Sequence, residues 1–105
     1  MEEAETVSIS AISLFEIGQK VRLGKWPEME PFLSKLIGLA HEQGGRLVET
    51  SAEASLLAAT LDWAHRDPFD RFIAATAITR ELPLISADTA FDALAPEPSW
   101  PGRYW

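Results

Sequence analysis

Three times along this chain a short strand-like segment runs into an oxygen-bearing side chain that can start a helix. Val7-Ser-Ile-Ser10 alternates apolar and polar residues, and Ser10 is placed to cap a helix through about Leu23, with Gly24 as its stop. Arg46-Leu-Val-Glu-Thr50 is the second strand candidate. Thr50 followed three residues later by Glu53 reads as a capping box for a helix carrying Ala54, Leu57, Ala58 and Leu61 on one face. Leu82-Pro-Leu-Ile-Ser86 is the third, with Asp88 as the cap of a short helix through Leu94. Strands that alternate with helices predict an α/β layered fold with a mainly parallel sheet.

Two more helices fill the gaps. Glu30-Pro31 opens one whose apolar positions Phe32, Leu33, Leu36, Ile37 and Ala40 follow the 3.6-residue period, ending at Gly44-Gly45. Asp67-Pro68 is a strong start for another, with aspartate as N-cap and proline at the first helical position. That helix is expected to run from Phe69 to about Arg80 with an inner face of Ile and Ala. Residues 95–102 contain three prolines and read as extended, and Arg103-Tyr-Trp105 as an edge strand or a frayed end.

The chain has 105 residues, the size of one domain, and its 47% apolar and 24% charged content is ordinary for a globular protein. No run approaches the ~18 apolar residues of a membrane span. The acidic start is the reverse of a secretory leader, and the absence of cysteine rules out disulfides and thiolate metal sites, so a cytoplasmic protein is expected. A net charge of −7 argues against a nucleic-acid coat protein. It leaves room for a nuclease, because a bound cation neutralises a group of acids locally.

Chemistry is carried best by acids at strand and helix ends: Glu16, Asp67, Asp70 and Asp88. In a parallel sheet, ligands bind beyond the carboxyl ends of the strands. Carboxylates gathered there suit Mg²⁺ or Mn²⁺, which take hard oxygen ligands. Each acid also has a structural reading. Asp67 and Asp88 are caps, Asp70 complements a helix dipole, and Glu16 faces Lys20 one turn on. Spacing alone does not choose between the two readings. His41 and His65 have no ligand spacing, so a zinc site is not expected. The serines form no nucleophile motif, and Trp26 and Trp63 read as core or interface residues. Lys20, Arg66 and Arg71 are candidate phosphate contacts, with solvated surface charge as the plainer reading.

Three blocks together carry a resemblance. The segment from Val7 to Lys25, the segment His65-Arg-Asp-Pro-Phe-Asp-Arg-Phe-Ile-Ala-Ala-Thr-Ala77, and Leu84-Ile-Ser-Ala-Asp-Thr-Ala-Phe91 resemble, in order and spacing, PIN-domain ribonucleases of the VapC toxin type over about residues 7–94. The resemblance implies a three-layer α/β/α sandwich and RNA cleavage with Mg²⁺ or Mn²⁺. Glu16, Asp70 and Asp88 are then the catalytic metal ligands, with Asp67 and Ser86 supporting them and Lys20, Arg66 and Arg71 near the RNA. A VapB-type antitoxin and a second copy of the chain are the implied partners. That family opens with a strand ending in an aspartate, which this chain lacks. Glu2, Glu3 and Glu5 do not lie on a strand, so a domain truncated at its N-terminus is expected. A second reading follows: a catalytically impaired remnant that binds protein through Leu14-Phe15 and the segment around Trp26 and Phe32. A third is an acidic α/β interaction protein whose aspartates only cap helices.

Overall fold

A computed structural model of the chain describes residues 7–86 and 88–104. Glu2, Glu3, Glu5 and Trp105, which bear on the sequence expectations, lie outside the described residues. The backbone divides into two compact units, residues 1–49 and 50–105.

In the first unit, β1 (Ser8–Ser10) leads directly into α1 (Ala11–Arg22), because the Ser10 hydroxyl accepts the otherwise unpaired N–H of Ile12 at 3.1 Å. Strand β2 (Arg46–Val48) lies parallel to β1, with Ser8 opposite Arg46 and Ser10 opposite Val48. Between them come a 3₁₀ stretch, Pro27–Lys35, and the short α2 (Leu36–Glu42). Both α-helices end as their glycines foretell. Gly24 and Gly44 take left-handed φ values of 75° and 80°. This lets the N–H groups of Lys25 and Gly45 reach back to the carbonyls of Lys20 and Ala40. The expected helix opening at Glu30-Pro31 is corrected. Its first part is 3₁₀, and α geometry begins only at Leu36. The helical stretch already starts at Pro27, which puts Pro31 inside it; there it has no N–H to give to residue 27, and α geometry would drive its ring against that carbonyl.

In the second unit, α3 (Ala52–Thr60) packs on α4 (Pro68–Arg80). Alanines 54, 58 and 75 are buried where the two meet, and such small side chains permit close approach. On the predicted face Ala54, Ala58 and Leu61 are buried and Leu57 half-buried, but the cap of α3 is Ser51 rather than Thr50. The Ser51 hydroxyl accepts from the N–H of Ala54 at 3.0 Å. Thr50 Oγ1 is buried with no hydrogen-bond partner among the described residues. Helix α4 starts as predicted, with Asp67 accepting from the N–H of Phe69 at 3.0 Å and Pro68 in the first turn. It ends without a glycine: Glu81 itself takes the left-handed conformation, φ 55°.

Beyond α4, β3 (Leu84–Ile85) pairs in parallel with β4 (Arg103–Tyr104), and Asp88 caps the 3₁₀ turn Thr89–Leu94. The proline-rich tail is not extended throughout. Residues 95–100 fold into turns in which the N–H groups of Ala95, Glu97 and Trp100 reach carbonyls three residues back. Proline's fixed φ suits such turns as well as it suits extended chain. A core of Leu61, Trp63, Ala74, Ile78, Phe91 and Leu94 results, with Leu57, Leu84 and Trp100 packed against it. The α/β class and the parallel pairing agree with the sequence reading.

Candidate active site at the head of helix α4

The chain between α3 and α4 is short, polar at its end, and pinned from inside. Arg71, one residue past the first turn of α4, extends along this segment. Its Nε donates to the Ala58 carbonyl at 2.7 Å and its Nη2 to Leu61 at 2.7 Å. Its Nη1 donates to the carbonyls of Trp63 at 2.7 Å and His65 at 2.9 Å. A planar guanidinium with donors in a fixed fork can hold several carbonyls at once, which a lysine cannot. Arg71 as a phosphate contact is therefore corrected: its donors are turned inward, to the backbone that carries His65.

Held this way, His65 lies over the first turn of α4. An ionised carboxylate can only accept, so His65 Nε2 donates to Asp70 Oδ2, at 2.7 Å. The imidazole and Asp70 are both partly accessible, at 29% and 21% of their side-chain surfaces. The other side of the site is set by aromatic packing. The imidazole lies against the Trp63 indole with ring centres 4.8 Å apart, and Trp63 in turn packs on Phe91 at 5.4 Å. Asp67 completes the group: one donor atom each from His65, Asp67 and Asp70 falls within 4.8 Å of the others. The two carboxylates suit a divalent cation that takes hard oxygen ligands, while the imidazole is engaged with Asp70. Negative charge is also favoured at a helix N-terminus.

Asp88 stands outside this group of three but is tied to it through two residues, Ala90 and Trp63. Its Oδ1 accepts from the N–H of Ala90 at 2.9 Å, while the Ala90 carbonyl accepts from Trp63 Nε1 at 3.2 Å. Ser86 supports Asp88 directly, its hydroxyl accepting the Asp88 N–H at 3.1 Å. Arg103 closes the far side. It donates to both carboxylate oxygens of Asp92, at 3.0 and 2.9 Å, and to the Ser86 carbonyl at 2.8 Å. These bonds to Arg103, together with its charge, hold the Asp92 carboxyl below its usual range. Glu16 and Lys20 lie on α1 in the first unit, Glu16 half-buried and Lys20 exposed. Arg66 is exposed beside the cap of α4.

A family model for the PIN domain matches residues 1–96. The chain belongs to the PIN domain family. The match takes in all three blocks that carry the sequence resemblance, and the PIN domain is a nuclease-type fold. No curated protein and no solved structure gave a match. Among the described residues no helix is long and apolar enough to cross a membrane.

Of the site residues expected from sequence, Asp67 and Asp70 come together in this PIN domain, and Ser86 and Asp88 form a second pair. His65 was missed. Its signal was the spacing His65-x-Asp67-x-x-Asp70, in which a residue just before an N-cap folds back over the first turn. The hydrophobic staple uses the same geometry.

Proposed function

We propose that this PIN domain is a metal-dependent endoribonuclease of the VapC toxin type. The observation that carries the reading is Asp70, presented at the first turn of α4 within 4.8 Å of two further donor atoms. Membership of a nuclease-type family supports the same chemistry. By the sequence resemblance, Glu16, Asp70 and Asp88 are assigned as ligands of Mg²⁺ or Mn²⁺, with Asp67 and Ser86 ordering the backbone beside Asp70 and Asp88. When bound, such a cation supplies charge stabilisation at phosphate oxygens and a more acidic water. Lys20 and Arg66, both exposed, are assigned to the phosphates of the RNA. The site of action is the cytoplasm.

A second reading, in which the domain is a catalytically impaired remnant that binds protein, is favoured by the first unit's exposed apolar residues. Leu23, Trp26, Phe32 and Ile37 all lie open to solvent. They suit an apolar partner, either a VapB-type antitoxin or a second copy of the chain. One experiment separates the two readings. Cleavage of a mixed RNA by the purified chain with Mn²⁺ or Mg²⁺ should fall at least about 100-fold in Asp70→Asn and vanish with EDTA, beyond what outer-shell changes cost. Equal cleavage by wild type and Asp70→Asn would remove the nuclease reading. Antitoxin binding or self-association that persists in Asp70→Asn would leave the protein-binding role standing alone.

A further inference from the structure

We propose that His65 is the positioning residue for Asp70, fixing that carboxylate for the cation by donating Nε2–H to Oδ2 without itself becoming a ligand. The inference rests on the nuclease reading above and extends it to a residue the sequence reading set aside.

Four observations converge on this role. The contact is 2.7 Å, a strong charge-assisted hydrogen bond, and it occupies one oxygen of Asp70 while leaving Oδ1 to bind elsewhere. The imidazole cannot swing away easily, because its ring lies against Trp63. Trp63 is itself buried and anchored through Nε1 to the Ala90 carbonyl. The backbone beneath the ring is fixed as well, since Arg71 Nη1 grips the carbonyls of both Trp63 and His65. A side chain held on its ring face and its backbone, with one nitrogen on a carboxylate, is built to orient that carboxylate. Ligating carboxylates are commonly hydrogen-bonded in this way by groups outside the coordination sphere. The same run of contacts continues through Ala90 to the cap made by Asp88, so two of the assigned ligands share one support.

The test is calorimetric titration of Mn²⁺ into the full chain and two variants. His65→Phe keeps a ring against Trp63 and loses the donor. His65→Gln places an amide N–H near the position of Nε2. His65→Phe should bind Mn²⁺ about 10-fold more weakly or worse, with its metal-free fold retained, whereas His65→Gln should stay within about 3-fold of wild type. Should His65→Phe not fold, His65→Leu supplies the donor-free variant. Pulsed paramagnetic resonance of the Mn²⁺ complex should show no nitrogen coupling that disappears in His65→Phe. Unchanged Mn²⁺ affinity in His65→Phe would overturn the proposal and leave the nuclease reading intact. So would His65→Gln binding as weakly as His65→Phe, which denies a role to the donated hydrogen bond, or a nitrogen coupling lost with the imidazole, which makes His65 a ligand. Failure of the wild-type chain to bind Mn²⁺ would overturn the metal reading itself, and this proposal with it.

Discussion

The two units of this chain spend their apolar residues differently. Residues 50–105 bury ten of them, including Phe91 and Leu94 at 3% and 2% exposure. Among the described residues of the first unit, Val48 alone is a buried hydrophobic, while Leu23, Trp26, Phe32, Ile37 and Leu39 lie exposed. The hydrogen bonds differ in the same sense. In the second unit Arg71, Trp63 and Arg103 tie side chains to backbone far along the sequence. In the first, hydrogen bonds among the described residues include the Ser10 cap, the helix ends and the β1–β2 pairing. Short helices with only local bonds are marginal in water, and most helical stability comes from a packed face. The lesson is that one amphipathic pattern supports two outcomes. In the second unit it builds a core that holds a chemical site rigid, and in the first it leaves an apolar surface.

The largest test of that contrast is a pair of truncations followed by urea denaturation. Phe91→Ala should cost about 3–5 kcal/mol, the cavity cost of a large buried aromatic. Ile37→Ala, at a side chain 57% exposed, should cost under about 0.5 kcal/mol. Similar losses at both positions would break the comparison.

A smaller effect sharpens it at the start of the second unit. Ser51→Ala should cost about 1 kcal/mol, because it removes the cap of α3. Thr50→Val should instead stabilise by about 1 kcal/mol, since it deletes a buried hydroxyl that has no partner among the described residues. A thermal melt that ranks the two in the opposite order would return the cap to Thr50.

The smallest effect concerns acid. Asp92 has its carboxyl lowered, first by the hydrogen bonds from Arg103 and then by its charge. A lowered folded-state value adds stability that is present above the ordinary aspartate pKa of about 4. That stability disappears as pH falls from there through the lowered value. Amide exchange should therefore quicken at β3–β4 over that window in wild type, with β1–β2 unaffected, and Asp92→Asn should abolish the pH dependence. With Asp92 largely exposed the change is modest.

Much of this architecture was legible before any tertiary contact was known, and the reason is distance along the chain. Ser10, Asp67 and Asp88 each satisfy an N–H two residues away, so a local reading finds them. Gly24 and Gly44 stop their helices through their own φ. The same local logic placed Asp67 and Asp70 at a helix head. It misassigned the cap of α3 because Thr50 and Ser51 both carry hydroxyls, and only the backbone path decides which one turns toward Ala54. It placed the end of α4 at Arg80 but not the manner of it, since Glu81, a non-glycine residue, takes the left-handed conformation that sequence propensity disfavours.

What the sequence by itself determined is where helices begin and most of where they end, the α/β alternation, and which acids stand at element ends. Those outcomes depend on groups within a turn of one another. Only the tertiary structure decided that Arg71 turns inward to four carbonyls, that His65 closes on Asp70, and that Arg103 brings β4 to β3. Each of these depends on which partner a long side chain meets after the backbone has folded. A guanidinium that reads as surface charge in sequence meets carbonyls of α3 and of the segment after it, and that meeting sets the site.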